Sequence, residues 1–424
     1  MRFKSHSSYL VSHAAILAAA LTQAGCSGGK DLVDALNNDS PPVNNGAQAG
    51  NNTGGGDTNT GGTGNTGTGA TDGNPPAKVA IGASGNKTAQ SVDGGGLFVR
   101  IPDLGKVTIA DRSRQGGNGV TWTPDADGSQ ITLVADGTLA SGTAVPSSTT
   151  IDKDPDFSGS ANAYYETHTP ELGGNGFEID YSKKYSVNGA TLYSSYADGA
   201  GNPVFLQYAT YGGYVQDTDV QYAKVDVEGQ GTWLNKTVGG SSILAVIFGG
   251  TPTAEADMPT GVTANYEGTF LGLGVPTSGK SGIDDENSSE LIGNVALKAN
   301  FGSGAVTGNV YNVMGERADC LGSCVEAVPL GLKLTGQIDP TTGNTYQGSV
   351  AFTGAATTAA SAASQATIGT VTNSDLVGQF YGPKAAETAG ALRVEGTVPT
   401  LMGRDGEPFG PGMVIGSFGA KKAP

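Results

Sequence analysis

The sequence predicts an all-β protein, with an N-terminal β-rich domain followed by an eight-stranded antiparallel up-and-down β-barrel. Short runs rich in Val, Ile, Tyr, Phe and Thr recur from about residue 79 to the C-terminus, and Gly-bearing turns separate them. No long stretch has the 3.6-residue period of a helix. Gly accounts for 69 of 424 residues, and an excess without a collagen-like period is typical of linkers and turn-rich β structure.

The first 26 residues predict export and lipid attachment. An apolar run from Ala14 to Leu21 follows Arg2 and Lys4, and its length is typical of a signal peptide, here residues 1–25. The run ends in Gln23-Ala24-Gly25-Cys26, which resembles the lipobox of bacterial lipoproteins except that Leu is usual at position 23. Cys26 is therefore the expected lipidation site, with a chance Cys after an ordinary signal peptide as the alternative.

An anchor on Cys26 would hold the chain to a membrane by acyl chains alone. No Asp follows Cys26, which favours the outer membrane and a position at the cell surface. Residues 26–77 are rich in Gly, Asn, Thr and Asp and too poor in apolar residues to form a core. We expect a disordered leash with a root-mean-square span of roughly 40 Å and a reach on the order of 170 Å.

The charge balance restricts the partners. The formal net charge is −16, and only 15% of the residues are charged. Binding to nucleic acid or to an anionic membrane surface depends on Lys and Arg that neutralise phosphates. We therefore expect no nucleic acid partner and no membrane contact besides the lipid anchor.

The folded part divides at about residue 250. Residues 78–250 are expected to form the β-rich domain, with hairpin-type turns at Asn188-Gly189 and Asp198-Gly199. Its predicted strands are Gly96–Ile101, Gln130–Ala135, Gly176–Tyr181, Ala190–Tyr196, Val204–Gly212, Tyr222–Val227 and Ser242–Phe248.

Residues 251–424 are expected to form the barrel. Its eight predicted strands are Ala264–Leu273, Leu291–Phe301, Ala305–Val313, Gly331–Gln337, Tyr346–Thr353, Leu376–Tyr381, Glu387–Val394 and Met413–Ala420. Turns such as 302–304 and 340–343 set the spacing of a meander, and eight strands are enough to close a barrel filled by its own side chains. The Ala/Thr/Ser-rich stretch Ala355–Gln365 is expected to be a loop or a short helical turn.

Three segments of this region resemble the transferrin-binding protein B-like β-barrel surface lipoproteins. Residues 258–270 look like the opening strand of that family, and residues 297–308 look like its second hairpin. Residues 378–390 match its G-x-F-x-G-x-x-A-x-E-x-x-G signature, with Gly378, Phe380, Gly382, Ala385, Glu387 and Gly390. The resemblance covers about 170 residues and implies a single lobe, in which residues 78–250 would be the β-rich handle domain.

The resemblance implies a function. It suggests a surface lipoprotein that binds a host iron or haem carrier protein and delivers this ligand to an outer-membrane transporter, such as a TonB-dependent receptor. The alternative is a structural or adhesive surface lipoprotein with no nutrient-capture role. The signature residues themselves are expected to be structural, since their glycines permit tight turns and Glu387 at a strand start is suited to accept backbone N–H groups.

Cys320 and Cys324 are expected to form a short-range disulfide, because an exported protein meets an oxidising compartment. A zinc site needs further ligands, and after residue 25 the chain has a single histidine, His168. His168 remains an alternative haem or metal ligand, and the acidic turn Asp152–Asp156 and residues 125–128 remain alternative calcium sites. No catalytic constellation is evident, so neither an enzymatic activity nor a cofactor is expected.

Tyrosines are concentrated in one part of the β-rich domain. Ten of the fifteen lie between Tyr164 and Tyr222. Tyr is favoured at recognition surfaces because it combines a large contact area with a hydrogen-bonding tip, and it is equally favoured in half-buried strands. Strand packing is the favoured interpretation, and the candidate contact face consists of Tyr164, Tyr165, Tyr193, Tyr196, Tyr208, Tyr211 and Tyr214.

Overall fold

The computed structural model of the chain describes twelve segments. These are residues 92–104, 111–124, 130–135, 149–152, 162–167, 182–193, 195–197, 203–227, 232–276, 289–316, 325–397 and 411–423. Within them no helix is long and apolar enough to cross a membrane.

An eight-stranded antiparallel sheet forms the N-terminal part, and we call it the N-terminal sheet. Its strands are β1 (Val92–Ile101), β2 (Asp111–Pro124), β3 (Gln130–Ala135), β4 (Thr149–Asp152), β5 (Asn162–Thr167), β6 (Tyr185–Tyr193), β9 (Ala209–Val227) and β10 (Thr232–Gly250). Their order in the sheet is β4-β3-β2-β1-β10-β9-β6-β5. The central strands β9 and β10 are each 19 residues long, and they pair from Ala209↔Gly250 to Val227↔Thr232. A separate hairpin pairs β7 (Ser195–Ala197) with β8 (Pro203–Phe205).

The C-terminal part is a closed eight-stranded antiparallel barrel, as predicted. Its strands are β11 (Thr263–Pro276), β12 (Ser289–Asn300), β13 (Ala305–Glu316), β15 (Gly331–Ile338), β16 (Thr345–Thr353), β17 (Thr370–Tyr381), β18 (Glu387–Thr397) and β19 (Pro411–Lys422). Each of these strands pairs with the next one in the list, and β11 pairs with β19 to close the ring. A three-residue strand, β14 (Val325–Ala327), pairs with the end of β13.

Alternate side chains of the barrel strands belong to two different hydrophobic cores. On β17, Leu376 and Phe380 point into the barrel core, whereas Val377 and Tyr381 point outward. The outward residues of β11, β17, β18 and β19 pack against β1, β9 and β10 of the N-terminal sheet. We call this second core the inter-sheet core. Half of the barrel wall is therefore covered on both faces, which explains why β18 is buried from Glu387 to Gly396.

The barrel core contains aromatic rings that lie over glycines. A Cβ at Gly416 would lie 2.3 Å from the Phe270 ring, and a Cβ at Gly378 would lie 2.3 Å from the Tyr346 ring. Such distances are far inside van der Waals contact, so only glycine fits at these two positions. The high glycine content of the strands thus has a packing role in addition to its role in turns.

Several local predictions for the N-terminal part were wrong. Asn188-Gly189 lies inside β6, where Asn188 pairs with Gln216 of β9, so it is not a turn. The predicted run Val204–Gly212 is broken between β8 and β9, and Tyr222–Val227 is the end of the long β9. Continuous cross-strand pairing outweighs local turn propensity here. Strands β2, β4 and β5 were not anticipated, and Gly176–Tyr181 lies outside the described residues.

The connections in the barrel follow the sequence expectations more closely. Residues 301–304 join β12 to β13, and residues 339–344 join β15 to β16. The Ala/Thr/Ser-rich stretch contains one short helix, α1 (Ala359–Ala363), which begins with a capping box between Thr358 and Ser361. The domain limits at residues 25, 77 and 250 stay predictions.

Candidate functional site

The family-like segment 378–390 lies where the barrel meets the N-terminal sheet. Phe380 is buried in the barrel core, with ring centroids of Phe301 and Tyr346 at 5.2 Å and of Tyr266 at 5.8 Å. Burial raises the pKa of the Tyr266 and Tyr346 hydroxyls well above their ordinary value, so both remain neutral donors. The Tyr346 hydroxyl is hydrogen-bonded to Thr388 at 2.9 Å.

The turn between β17 and β18 has an unusual backbone. Gly382, Lys384 and Ala385 all have positive φ, at 70°, 54° and 53°. A Cβ on Gly382 would lie 2.4 Å from the Tyr208 ring, so glycine is required both by the conformation and by the close approach of that ring. Ala385 is buried, and its carbonyl accepts a hydrogen bond from the Tyr266 hydroxyl at 2.8 Å.

Glu387 is the polar centre of this junction. It is 1% exposed, and its two carboxylate oxygens accept the backbone N–H groups of Gln207 (2.8 Å), Tyr208 (2.8 Å) and Ala209 (3.0 Å). Burial raises the pKa of the Glu387 carboxyl, while the three N–H donors and Lys421 on the paired strand act to lower it. The carboxylate thus fixes the segment before β9, which lies about 180 residues away in sequence, to the barrel.

Residues 252 and 253, which follow β10, form a second set of hydrogen bonds near the turn between β17 and β18. Thr253 is 1% exposed, its N–H donates to Phe380 O at 2.9 Å, and its hydroxyl donates to Gly382 O at 2.7 Å. The Thr253 carbonyl accepts from Asn344 Nδ2 at 2.8 Å. Pro252 forms an antiparallel bridge with Tyr381. Polar groups of both parts are therefore joined directly through hydrogen bonds.

A charged group lies further along the covered wall of the barrel. Arg393 of β18 is 3% exposed and forms an ion pair with Asp375 of β17. Its Nε also lies 3.6 Å from Glu395 Oε1, and Glu395 is 7% exposed. Removal of one partner from a buried ion pair leaves an uncompensated charge, whereas replacement of the whole pair by apolar groups is often neutral for stability.

Four of the seven candidate tyrosines lie in the interior. Tyr193, Tyr208, Tyr211 and Tyr214 are between 0% and 7% exposed, and the first three belong to the inter-sheet core. Tyr193 and Tyr211 pack ring to ring with centroids 5.8 Å apart. These four tyrosines therefore pack in the interior and do not form a recognition surface. Tyr164, Tyr165 and Tyr196 lie in β5 and β7, and for them the contact face stays a prediction.

Several other predicted sites lie outside the described residues. They are the lipidation site Cys26, the cysteines Cys320 and Cys324, His168 and residues 125–128. Asp152 ends β4, and the rest of its acidic turn is outside the description as well. In the part of the chain that the structure describes, no group of three or more His, Cys, Asp or Glu side chains is placed to hold a metal ion. The absence of an enzymatic activity stays a prediction.

The two ends of the barrel differ in the length of their connections. At the end that holds Glu387 and Thr253, residues 301–304, 339–344 and 382–386 join the strands. At the opposite end the connections are residues 277–288, 317–330, 354–369 and 398–410, each at least twelve residues long. We call this the long-connection end. Binding residues concentrate on loops that a rigid scaffold positions, so this end is the candidate binding region.

Sequence reasoning missed the residues that join the two parts. Thr253 carries no local signal, because its partners Phe380 and Gly382 are distant in sequence. Asp375 meets Arg393 only through the pairing of β17 with β18. Glu387 was singled out as an acceptor of backbone N–H groups, but its partners lie at 207–209 and not in its own turn. A polar residue at an outward position among apolar neighbours, such as Arg393 after Ala389 and Ala391, is the one pattern that hinted at a covered wall.

Residues 258–422 match a family model described as the C-lobe and N-lobe β-barrels of Tf-binding protein B. No curated protein sequence matches the chain with significance. Among solved structures, a transferrin-binding protein B double mutant from Haemophilus parasuis is 13% identical over 82% of this chain and 78% of that one, with a TM-score of 0.27. HpuA from Kingella denitrificans, solved with human haemoglobin, is 11% identical over 83% and 95%, with a TM-score of 0.29. Isotype 1 transferrin-binding protein B from Neisseria meningitidis is 12% identical over 79% and 77%, with a TM-score of 0.24.

Proposed function

We propose that this chain, whose residues 258–422 match the family model of the transferrin-binding protein B barrels, is a surface lipoprotein that binds an iron- or haem-carrying host protein. The observation that carries this proposal is the match of the whole barrel, from before β11 to the end of β19, to a family named for transferrin binding. In this proposal Cys26 is lipidated at the outer membrane, and residues 26–77 are the leash that extends the folded part from the cell surface.

The geometry supports a binding role at the long-connection end. The opposite end is occupied by the bonds of Glu387 and Thr253, so it has a structural task already. The four long connections begin and end on strands of one closed barrel, which gives them fixed anchor points. A rigid support of this kind lowers the entropy lost when a ligand binds.

The sequence of the last connection nominates specific contact residues. Residues 398–410 contain Leu401, Met402 and Phe409. Large apolar side chains in a connection are suited to be anchors of a protein interface, where Met and aromatic residues are enriched. Residues 277–288 contain Asp284, Asp285 and Glu286, which fit a polar rim. We propose Met402 and Phe409 as the principal contacts.

Delivery of the bound carrier requires a second partner. The lipid anchor holds the chain at the membrane where an outer-membrane transporter would lie, and the leash gives the folded part freedom to reach it. We propose a TonB-dependent receptor as that transporter. A gene for such a receptor beside the gene of this chain would support the pairing.

A direct binding measurement tests the proposal. Residues 27–424 are immobilised, and transferrin, haemoglobin and haem-loaded albumin are each titrated to saturation. We expect saturable binding of one carrier, and we expect the double substitution Met402→Ala and Phe409→Ala to weaken it at least about tenfold, as for an interface anchor. The matched control, Thr341→Ala with Thr342→Ala in the turn 339–344 at the opposite end, is expected to leave the affinity unchanged. No saturable binding of any carrier would refute the proposal and favour the adhesive or structural alternative.

A further inference from the structure

One of the four connections at the long-connection end is described in full, and we call it the flap (residues 354–369). It leaves β16 after Thr353, passes to β13 and returns to β17 at Thr370. Helix α1 lies against β13, and the Ile368 side chain packs against the barrel core. The flap therefore lies over the end of the barrel where Phe352 is the last inward residue of β16.

The side chains of the flap give it little hold on the barrel. Within residues 354–369 only Ala356 and Ala362 are buried, and Ile368 is half-buried. The methyl group of an alanine removes little apolar area from water, and the stabilisation scales with that area. Contacts of the two alanines therefore contribute little to keeping the flap closed.

Backbone hydrogen bonds at two places anchor the flap. The N–H of Asn312 in β13 donates to Ala356 O at 2.7 Å, and the N–H of Ile368 donates to Phe352 O at 2.9 Å. Asn312 has no place in the ladder of β13 with β12, and its φ of 50° marks a bulge there. A bulge directs a backbone group away from the neighbouring strand, and in this case the group is directed to the flap.

The remaining hydrogen bonds of the flap lie within it. The N–H of Ser361 donates to Thr358 Oγ1 at 3.2 Å, the Ser361 Oγ donates to Thr358 O at 2.9 Å, and the Ser364 Oγ donates to Ser361 O at 2.9 Å. These bonds are kept if the flap moves as one body, whereas the two anchors break. The loss on opening is therefore limited to the anchors and the half-buried side chain.

A glycine stands at each end of the flap. Gly354 follows the last residue of β16, and Gly369 precedes β17 with a left-handed φ of 67°. Glycine adopts many backbone conformations at low cost, so these two residues are suited to absorb the rotation of the segment between them. The bridge between Thr353 and Thr367 lies next to both hinges and opens with them.

We propose that residues 354–369 open as one unit about Gly354 and Gly369 and thereby gate the apolar mouth of the barrel. In the closed state the flap presents mainly Ala, Thr and Ser to the solvent, and Ile368 packs against the barrel core. Opening exposes Ile368 and Phe352, so the same end of the barrel becomes apolar. Segments with few buried apolar contacts are the ones that open locally in a folded chain. The inference does not depend on which ligand binds at this end.

Hydrogen–deuterium exchange of the full chain, resolved to single amides and corrected for intrinsic rates, tests the proposal. We expect the anchor amides of Ile368 and Asn312 to share one opening equilibrium and to exchange at least about tenfold faster than the amide of Leu334. Leu334 pairs with β13 on one side and with β16 on the other, so its amide reports the opening of the barrel itself.

Two glycine substitutions with equal strain separate the opening of the flap from unfolding. Gly369→Ala strains the closed flap, and opening releases the strain, so exchange at both anchor amides is expected to rise about fivefold. Gly343→Ala is the matched control, because Gly343 has the same φ of 67° but lies in the turn 339–344 at the opposite end. We expect it to accelerate exchange at Leu334 about fivefold and to leave both anchor amides unchanged. Ile368→Ala is a second flap variant if Gly369→Ala fails to fold, and it is expected to accelerate exchange at Asn312.

The apolar dye anilinonaphthalene sulfonate detects the exposed mouth. A dye that binds only the open state gains apparent affinity in proportion to the population of that state, so Gly369→Ala is expected to bind it about fivefold more tightly. Gly343→Ala is expected to bind the dye as the unsubstituted chain does.

Three results would overturn the proposal. Anchor amides that Gly343→Ala accelerates as much as Leu334 would show that they exchange only when the whole chain unfolds. Acceleration of Ile368 without Asn312 in Gly369→Ala would show that one end of the segment frays and that the flap is not a unit. Equal dye binding by the two glycine variants would show that the flap covers no apolar mouth.

Discussion

The carboxylate of Glu387, at the first residue of β18, accepts the backbone N–H of Tyr208 at 2.8 Å, and Tyr208 places its ring over Gly382 in the turn that precedes β18. A single residue before β9 thus contacts both sides of the β17–β18 turn. Through these two contacts, Gly382 and Glu387 together hold the residues before β9 against the barrel.

Substitution of Glu387 by Gln is expected to lower the free energy of unfolding by about 1–3 kcal/mol, because the amide nitrogen would face backbone N–H donors that now have an acceptor. Chemical denaturation at neutral pH measures the difference. Glu267→Gln in β11 is the matched control, since Glu267 is exposed, and it is expected to change the stability by less than about 0.5 kcal/mol. Equal effects of the two substitutions would show that the three bonds of Glu387 contribute nothing measurable.

The pH dependence of this difference has a defined sign. The pKa of Glu387 is raised in the folded chain by burial, so the folded state binds more protons than the unfolded state at pH values between the two pKa values. The contribution of its carboxyl is fully present below the unfolded value of 4.5 and declines as the pH rises through the folded value. The difference in unfolding free energy between the unsubstituted chain and Glu387→Gln, measured from pH 4 to pH 7.5, is expected to be largest at pH 4 and to narrow to its neutral-pH value as the pH rises. Divergence would mean that the N–H donors and Lys421 outweigh burial.

Gly382→Ala is expected to destabilise the chain more than Gly261→Ala. Both glycines have left-handed φ, at 70° and 69°, so both substitutions carry the same backbone strain of about 1 kcal/mol. A Cβ at Gly261 would meet no atom within 4 Å, whereas a Cβ at Gly382 would meet the Tyr208 ring at 2.4 Å. Thermal unfolding of the two variants measures the difference, and Tyr208→Ala should reduce the additional effect of Gly382→Ala. Equal melting temperatures would contradict the close packing of Tyr208.

Arg393→Leu is expected to cost about 3–5 kcal/mol, because it leaves Asp375 and Glu395 as like charges beside each other on a covered wall. The triple substitution Arg393→Leu, Asp375→Asn and Glu395→Gln removes all three charges and is expected to recover part of this loss. Denaturant titration of both variants provides the comparison. If the Arg393→Leu variant were as stable as the unsubstituted chain, the charged side chains at 375, 393 and 395 would have to be solvated in solution.

The barrel was predictable from sequence to a large extent because its strands pair with their neighbours. Each of the eight predicted strands corresponds to an observed one, and the turns at 302–304 and 340–343 lie between the expected strands. Local pattern is sufficient when the next run along the chain is also the pairing partner. The helix α1 likewise falls in the stretch for which a short helical turn was considered.

The N-terminal sheet was less predictable because its central strands pair over long distances. Asn188-Gly189 has the composition of a turn, yet its residues pair with β9. The sequence 378–390 contained the residues of the junction, but nothing near Glu387 indicates that its partners are Gln207, Tyr208 and Ala209. The burial of Tyr193, Tyr208 and Tyr211 could not be predicted for the same reason. The barrel strands that cover these tyrosines begin more than fifty residues later in the sequence.

Because one side of the barrel wall is covered by the N-terminal sheet, we expect the barrel and the sheet to fold together, whereas the family model matches residues 258–422 alone. Leu271, Val377, Met413 and Ile415 point away from the barrel core and are shielded by the N-terminal sheet. A fragment cut at residue 258 would expose them as one apolar patch, and such patches promote aggregation. A recombination event that exchanges this barrel between relatives must therefore exchange the N-terminal sheet with it. We expect the barrel to be insoluble when it is produced alone as an antigen or binding reagent.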